Sequence, residues 1–163
     1  MRLTAADLEA YEATIAALLE RYGVALDLDS DAPITLEESP NGALSFELRG
    51  FLPDGRRPPW SVLLVREKWG EVGQDSYERL GYEYELLDHE RRFRRAYHLH
   101  DVDHFVRRFN VAVHEHCERP RGVAACPHFE GSPIRDGFRG VEILVDAWTN
   151  PTIPNCAVLS CLE

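Results

Sequence analysis

The sequence carries one lysine, one methionine and four cysteines in 163 residues, and each scarcity narrows the field. Four cysteines are few for the disulfide framework of a secreted domain, so reduced thiols in a cytoplasmic protein are expected. Cys156 and Cys161 sit in an apolar tail that suits buried thiols. No apolar run reaches the ~18 residues of a membrane span, and the opening residues lack the apolar stretch of a secretory signal, so no membrane partner is expected. No glycine-rich turn joins a strand to a helix, which leaves dinucleotide and P-loop sites without support. Internal repeats and low-complexity tracts are absent as well.

What is present is ordinary in amount and uneven in placement. Hydrophobic residues make up 44% and charged residues 28%, the composition of a globular chain. The length suits one α+β domain over residues 1–163. A net charge of −10 argues against indiscriminate coating of nucleic acid. Yet residues 1–90 hold 19 acidic and 8 basic side chains, whereas 91–163 hold 9 and 10. All seven histidines lie between His89 and His128, and eight arginines crowd 91–121. A bound anion feels local charge, within a Debye length of about 10 Å, and here the local surface is rich in Arg and His.

Residues 4–22 read as a helix. Thr4 is the N-cap, Asp7 completes a capping-box variant, and Gly23 stops it. Leu8, Tyr11, Ile15, Leu18, Leu19 and Tyr22 share its apolar face. Alternation then predicts strands over 24–28, 34–36, 44–48 and 60–65, joined as a meander through turn-forming residues. A hairpin is expected over 80–100, turning near Asp88, His89 and Glu90, and a strand over 111–116. Residues 101–109 fit a short helix or a loop. Asp136 caps a second helix to Thr149, with Phe138, Val141, Leu144, Val145 and Trp148 on one stripe, and the last dozen residues suit a terminal strand. The sum is α+β: an antiparallel sheet with an N-terminal amphipathic helix and a helix near the C-terminus.

Two of these strands carry the chemistry. Period-2 alternation puts Arg92, Arg94, Ala96, His98 and His100 on one face of the first, and Asn110, Ala112, His114 and His116 on one face of the second. If the strands are neighbours, these side chains act together. One reading is a site for a phosphodiester. His98, His100, His114 and His116 would supply proton transfer, Arg94 the charge on the transition state, and Arg92, Arg107 and Arg108 further phosphate contacts. That set suits metal-independent RNA cleavage, in which the 2′-hydroxyl is the nucleophile. A second reading is a zinc site or metal-dependent hydrolase. Its ligands would be His114, His116, Cys126 and His128, or the all-imidazole set His98, His100, His114 and His116 with Asp101 or Glu115 orienting them. A third is a noncatalytic interaction module, its histidines on an exposed polar face and its basic centre pairing with the acidic half of the same chain or of a homodimer partner. His89 and His104 suit a turn and a helix surface, and Trp60, Trp69 and Trp148 suit core or sheet cover.

Between Tyr97 and Gly131 the order Tyr97, His98, Asp101, Arg107, Arg108, Phe109, His114, His116, His128 resembles the TumE-type toxin components of bacterial toxin–antitoxin modules. Those proteins show an aromatic-His-x-x-Asp stretch, an Arg-aromatic segment and further histidines shortly after. Asn110, Val111 and Ala112 stand where that family usually has an Asp-Asn pair. The resemblance implies a small α+β protein of bacterial type, directed at RNA or translation, with an antitoxin-like protein as partner.

Overall fold

The computed structural model describes residues 1–27, 37–38, 40, 42–53, 61–100, 106–107, 112–118 and 129–150. The first helix, α1 (Ala5–Arg21), starts as its sequence dictates: the Thr4 side chain accepts from the Asp7 N–H while the Asp7 carboxylate accepts from the Thr4 N–H. It ends at Gly23, whose φ of +78° is the left-handed conformation that only glycine adopts without strain. The second helix, α2 (Gly137–Thr149), opens on Asp136, whose carboxylate accepts from the Arg139 N–H.

Between and before them run short strands β1 (Arg2–Leu3), β2 (Ala25–Leu26) and β3 (Glu37–Glu38), then the long β4 (Leu44–Phe51), β5 (Val62–Gly73), β6 (Ser76–Asp88), β7 (Phe93–Leu99) and β8 (Val113–Glu118), and finally β9 (Phe129–Glu130). The described residues form one antiparallel sheet in the order β2-β4-β5-β6-β7-β8-β9, with β1 paired to β6 and β3 to β4. Consecutive long strands are neighbours, so loops rather than crossovers build the sheet.

Both helices pack on one face of this sheet. Phe46 and Leu48 of β4, Leu63 and Val65 of β5, Tyr84 and Leu86 of β6 and Phe93 of β7 meet Leu8, Ile15 and Leu19 of α1 and Val141 and Leu144 of α2. Gly140 is where α2 comes closest. A Cβ added there would lie 2.6 Å, 2.7 Å and 2.9 Å from atoms of the Tyr84 ring. That ring is fully buried and cannot swing aside. Gly140→Ala should therefore cost about 1–3 kcal/mol by overpacking, against the ~1 kcal/mol that alanine gains in helix propensity. The check is a fall in the urea midpoint with the slope m unchanged.

Several expectations need adjusting. Strand β5 runs to Gly73 rather than stopping near Val65, and pairs with β6 through a tight turn at Gln74 and Asp75. Asp75 adopts a φ of +49° there without being glycine, so the usual Asn-Gly or Asp-Gly signal of a hairpin was missing from the sequence. Cys117 is disulfide-bonded, which corrects the expectation of reduced thiols at that position. Residues 34–36 and the terminal-strand segment lie outside the described residues, as do Trp60, Asp101, His104, Cys126, His128, Cys156 and Cys161. No helix among the described residues is long and apolar enough to cross a membrane.

Candidate metal centre

The face of the sheet opposite the helices carries the histidines. Strands β7 and β8 are neighbours, with Arg94 opposite Glu118, Ala96 opposite His116 and His98 opposite His114. Alternation then does the rest: His98 and His114 meet directly, and His116 stands two residues along the same strand. The imidazoles converge. Ring centroids are 5.2 Å apart for His98 and His114, 4.8 Å for His98 and His116, and 5.0 Å for His114 and His116. His100 closes the group from the rim, 4.8 Å from His114 and 5.3 Å from His98.

All three central rings are buried, His114 to within 1% of full burial. This corrects the expectation of histidines displayed on an exposed polar face. The Nε2 atoms of His114 and His116 are 3.1 Å apart, and His98, His114 and His116 each offer a ring nitrogen within 4.8 Å of the other two. Zinc–nitrogen bonds of about 2.0–2.1 Å in a tetrahedron set nitrogens about 3.3–3.4 Å from one another. One pair already sits near that separation, and the His98 nitrogen lies within 4.8 Å of both.

The chain matches no family model, no curated protein and no solved structure. The chemistry of the site therefore has to be read from its own residues.

Around the imidazoles the charge is carboxylate first. Glu83 and Glu85 of β6 project onto the same face, opposite His98 and Ala96, and together with His98 offer a second group of ligand atoms within 4.8 Å of one another. Burial pushes the Glu83 carboxyl above its ordinary value, and the guanidinium of Arg66 pulls it back. Arg94 shares this face but is clamped by Glu85, its Nε and Nη2 donating at 2.8 Å and 3.1 Å to the two oxygens. Arg66 is likewise held between Glu47 and Glu83. A phosphate approaching Arg94 would have to displace the Glu85 carboxylate, whereas His98, His114 and His116 offer ring nitrogens within 4.8 Å of one another.

The remaining candidates scatter. Arg92 lies in the β6–β7 turn with a φ of +51°, off the strand and away from the polar face expected for it. Arg107 is exposed, and Arg108 lies outside the described residues. Arg95 and Glu115 have the other parity and face the helices. Arg95 is 2% exposed, pairs with Glu115, donates to the Tyr97 hydroxyl at 3.0 Å and stacks over that ring. Glu115 therefore does not orient the histidines, and Arg95 is not part of an arginine surface. Of the all-imidazole quartet, His98, His114 and His116 are brought together with His100 at the rim, while Cys126 and His128 of the other quartet lie outside the described residues. Sequence reading missed Glu83 and Glu85, although their alternation with Tyr82 and Tyr84 carried the signal.

Proposed function

We propose that this protein binds one late first-row divalent metal ion, zinc foremost, through His98, His114 and His116. What carries the reading is the convergence of three buried imidazoles from two paired strands, with ligand nitrogens within 4.8 Å of one another. Imidazole is the nitrogen ligand that zinc and its neighbours in the first row favour, and burial limits competition from water. Three protein ligands leave a tetrahedral ion one further position. A water held there loses a proton near neutral pH, so hydrolysis is the reaction class that such a centre serves.

Elemental analysis of the purified protein after equilibration with zinc should find close to one ion per chain. His114→Ala and His98→Ala should lower the affinity at least 100-fold while circular dichroism shows the fold retained, and His89→Ala, a change in the β6–β7 turn, should leave it unaltered. Binding that favours the native state should also raise the melting temperature, since a hundredfold excess of free ion over Kd adds about 2.7 kcal/mol. No ion above background in a folded protein would overturn the reading. RNA cleavage that ignores chelators and disappears in His114→Ala would replace it with the metal-independent nuclease read from the histidines and arginines of the sequence.

A further inference from the structure

Glu83 faces His98 across the β6–β7 ladder, and its two carboxylate oxygens have different partners. Oε2 accepts from Arg66 Nη1 at 2.7 Å, and Oε1 lies 3.5 Å from His98 Nε2. Arg66 is held from its far side by Glu47, 2.5 Å from Nη2. Glu47, Arg66, Glu83, His98 and His114 thus form one rung across five neighbouring strands, the first three alternating in charge. Glu85, the other carboxylate on this face of β6, is taken up by Arg94.

An imidazole has two ring nitrogens, and the one that donates to a carboxylate decides which is left for a metal. We infer that Glu83 is the positioning residue of the centre: it accepts a hydrogen bond from His98 Nε2–H, so that Nδ1 is the nitrogen His98 turns to the ion. This rests on the metal reading above. The 3.5 Å contact closes to a charge-assisted hydrogen bond of about 2.7–2.9 Å by a modest ring movement. Arg66 keeps the carboxylate from turning away, and Glu47 keeps Arg66 in place. The rung is an orienting device that reaches from β4 to the ligand shell.

Cobalt(II) tests this, because its visible absorption reports ligand geometry. Affinity would be measured by competition with a chromophoric chelator for the unmodified protein, Glu83→Gln, Glu83→Asp and Glu47→Gln. Glu83→Gln should weaken binding 10–100-fold and change the cobalt spectrum. Glu83→Asp should recover part of both, and Glu47→Gln, which loosens Arg66 without touching His98, should give a smaller loss in the same direction. Ring 15N shifts of the metal-free protein supply the independent arm. His98 should carry its proton on Nε2, and that bias should disappear in Glu83→Gln. An unchanged spectrum and affinity in Glu83→Gln would overturn the inference, as would an unchanged His98 tautomer. If the unmodified protein takes up no cobalt, the metal reading alone fails, and the tautomer comparison still decides whether Glu83 orients His98.

Discussion

Exchanging Glu67 for alanine should cost about 3–5 kcal/mol of stability, the loss expected when one partner of a buried ion pair is removed. At about 2–4 °C per kcal/mol for a chain of this size, the melting temperature should fall by on the order of 10 °C. Glu67 is fully buried on the helix side of β5. Its Oε1 accepts from Tyr11 Oη at 3.1 Å, from Arg79 Nη1 at 2.9 Å and from the Tyr84 hydroxyl, and its Oε2 accepts from Trp69 Nε1 at 3.1 Å. Burial pushes the Glu67 carboxyl above the usual range, while Arg79 and these donors pull it back. Arg79 also donates to the Ile134 carbonyl and, at 2.9 Å, to the Arg135 carbonyl, and the Gly137 N–H donates to the Tyr11 hydroxyl at 2.6 Å. One carboxylate thus ties α1, β5, β6 and the start of α2 together. Removing it leaves the Arg79 charge uncompensated and takes the acceptor from two tyrosine hydroxyls and the Trp69 indole N–H in the buried core. Arg79→Leu combined with Glu67→Leu should be less damaging than the sum of the single changes by about 1–3 kcal/mol. Strictly additive losses in urea denaturation would show that the pair is not the source of the cost.

Glu12 should behave in the opposite sense. It is 1% exposed on α1, and Oε1 accepts no hydrogen bond among the described residues. Burial, with Glu9 adding to it, lifts the carboxyl from 4.5 to about 7. A group whose pKa is raised on folding supports the native state fully below its unfolded value and withdraws that support as pH rises through the folded one. Between pH 4.5 and about 7 the native chain therefore holds a proton that the unfolded chain has released, and stability declines across that interval. The rise corresponds to a penalty on the order of 3 kcal/mol above pH 7. Glu12→Gln keeps the shape and removes the titration. The variant should be more stable than the parent by about that amount at pH 8 and nearly equal to it near pH 4. Denaturation curves that stay parallel at both pH values would refute this.

These two glutamates also show what could be read from the letters alone. Helix ends were legible because caps are local: Thr4 with Asp7, Gly23 and Asp136 all act within a few residues of where they stand. The facing of His98, His114 and His116 was legible because side-chain alternation in a strand is purely geometric. That β7 and β8 lie side by side, and that the rings are buried, was not, since both depend on what the rest of the chain packs where. Beyond Val65 the sequence runs into Arg66, Glu67 and Lys68, three charges in a row that show no apolar alternation, although β5 continues through them. In the fold Arg66 goes to one face and Glu67 to the other, where its donors come from as far away as Tyr11 and Arg79. An apolar stripe defined by hydrophobic residues alone does not include Glu12, which stands beside Tyr11 on α1. Tyr22, assigned to that stripe, is 40% exposed, while Glu12 is inside.

The imidazoles ride on alternate positions of two hydrogen-bonded strands, so their mutual spacing is dictated by the ladder and owes nothing to the connecting loops. Loop length and composition are then at liberty to drift over evolutionary time without disturbing the cluster. A single-residue frame slip within β7 or β8 is another matter, since it would carry every ring on that strand through to the helix side at once. Such a scaffold permits ligands to be swapped one at a time, residue type by residue type, while forbidding gradual change in the distances between them.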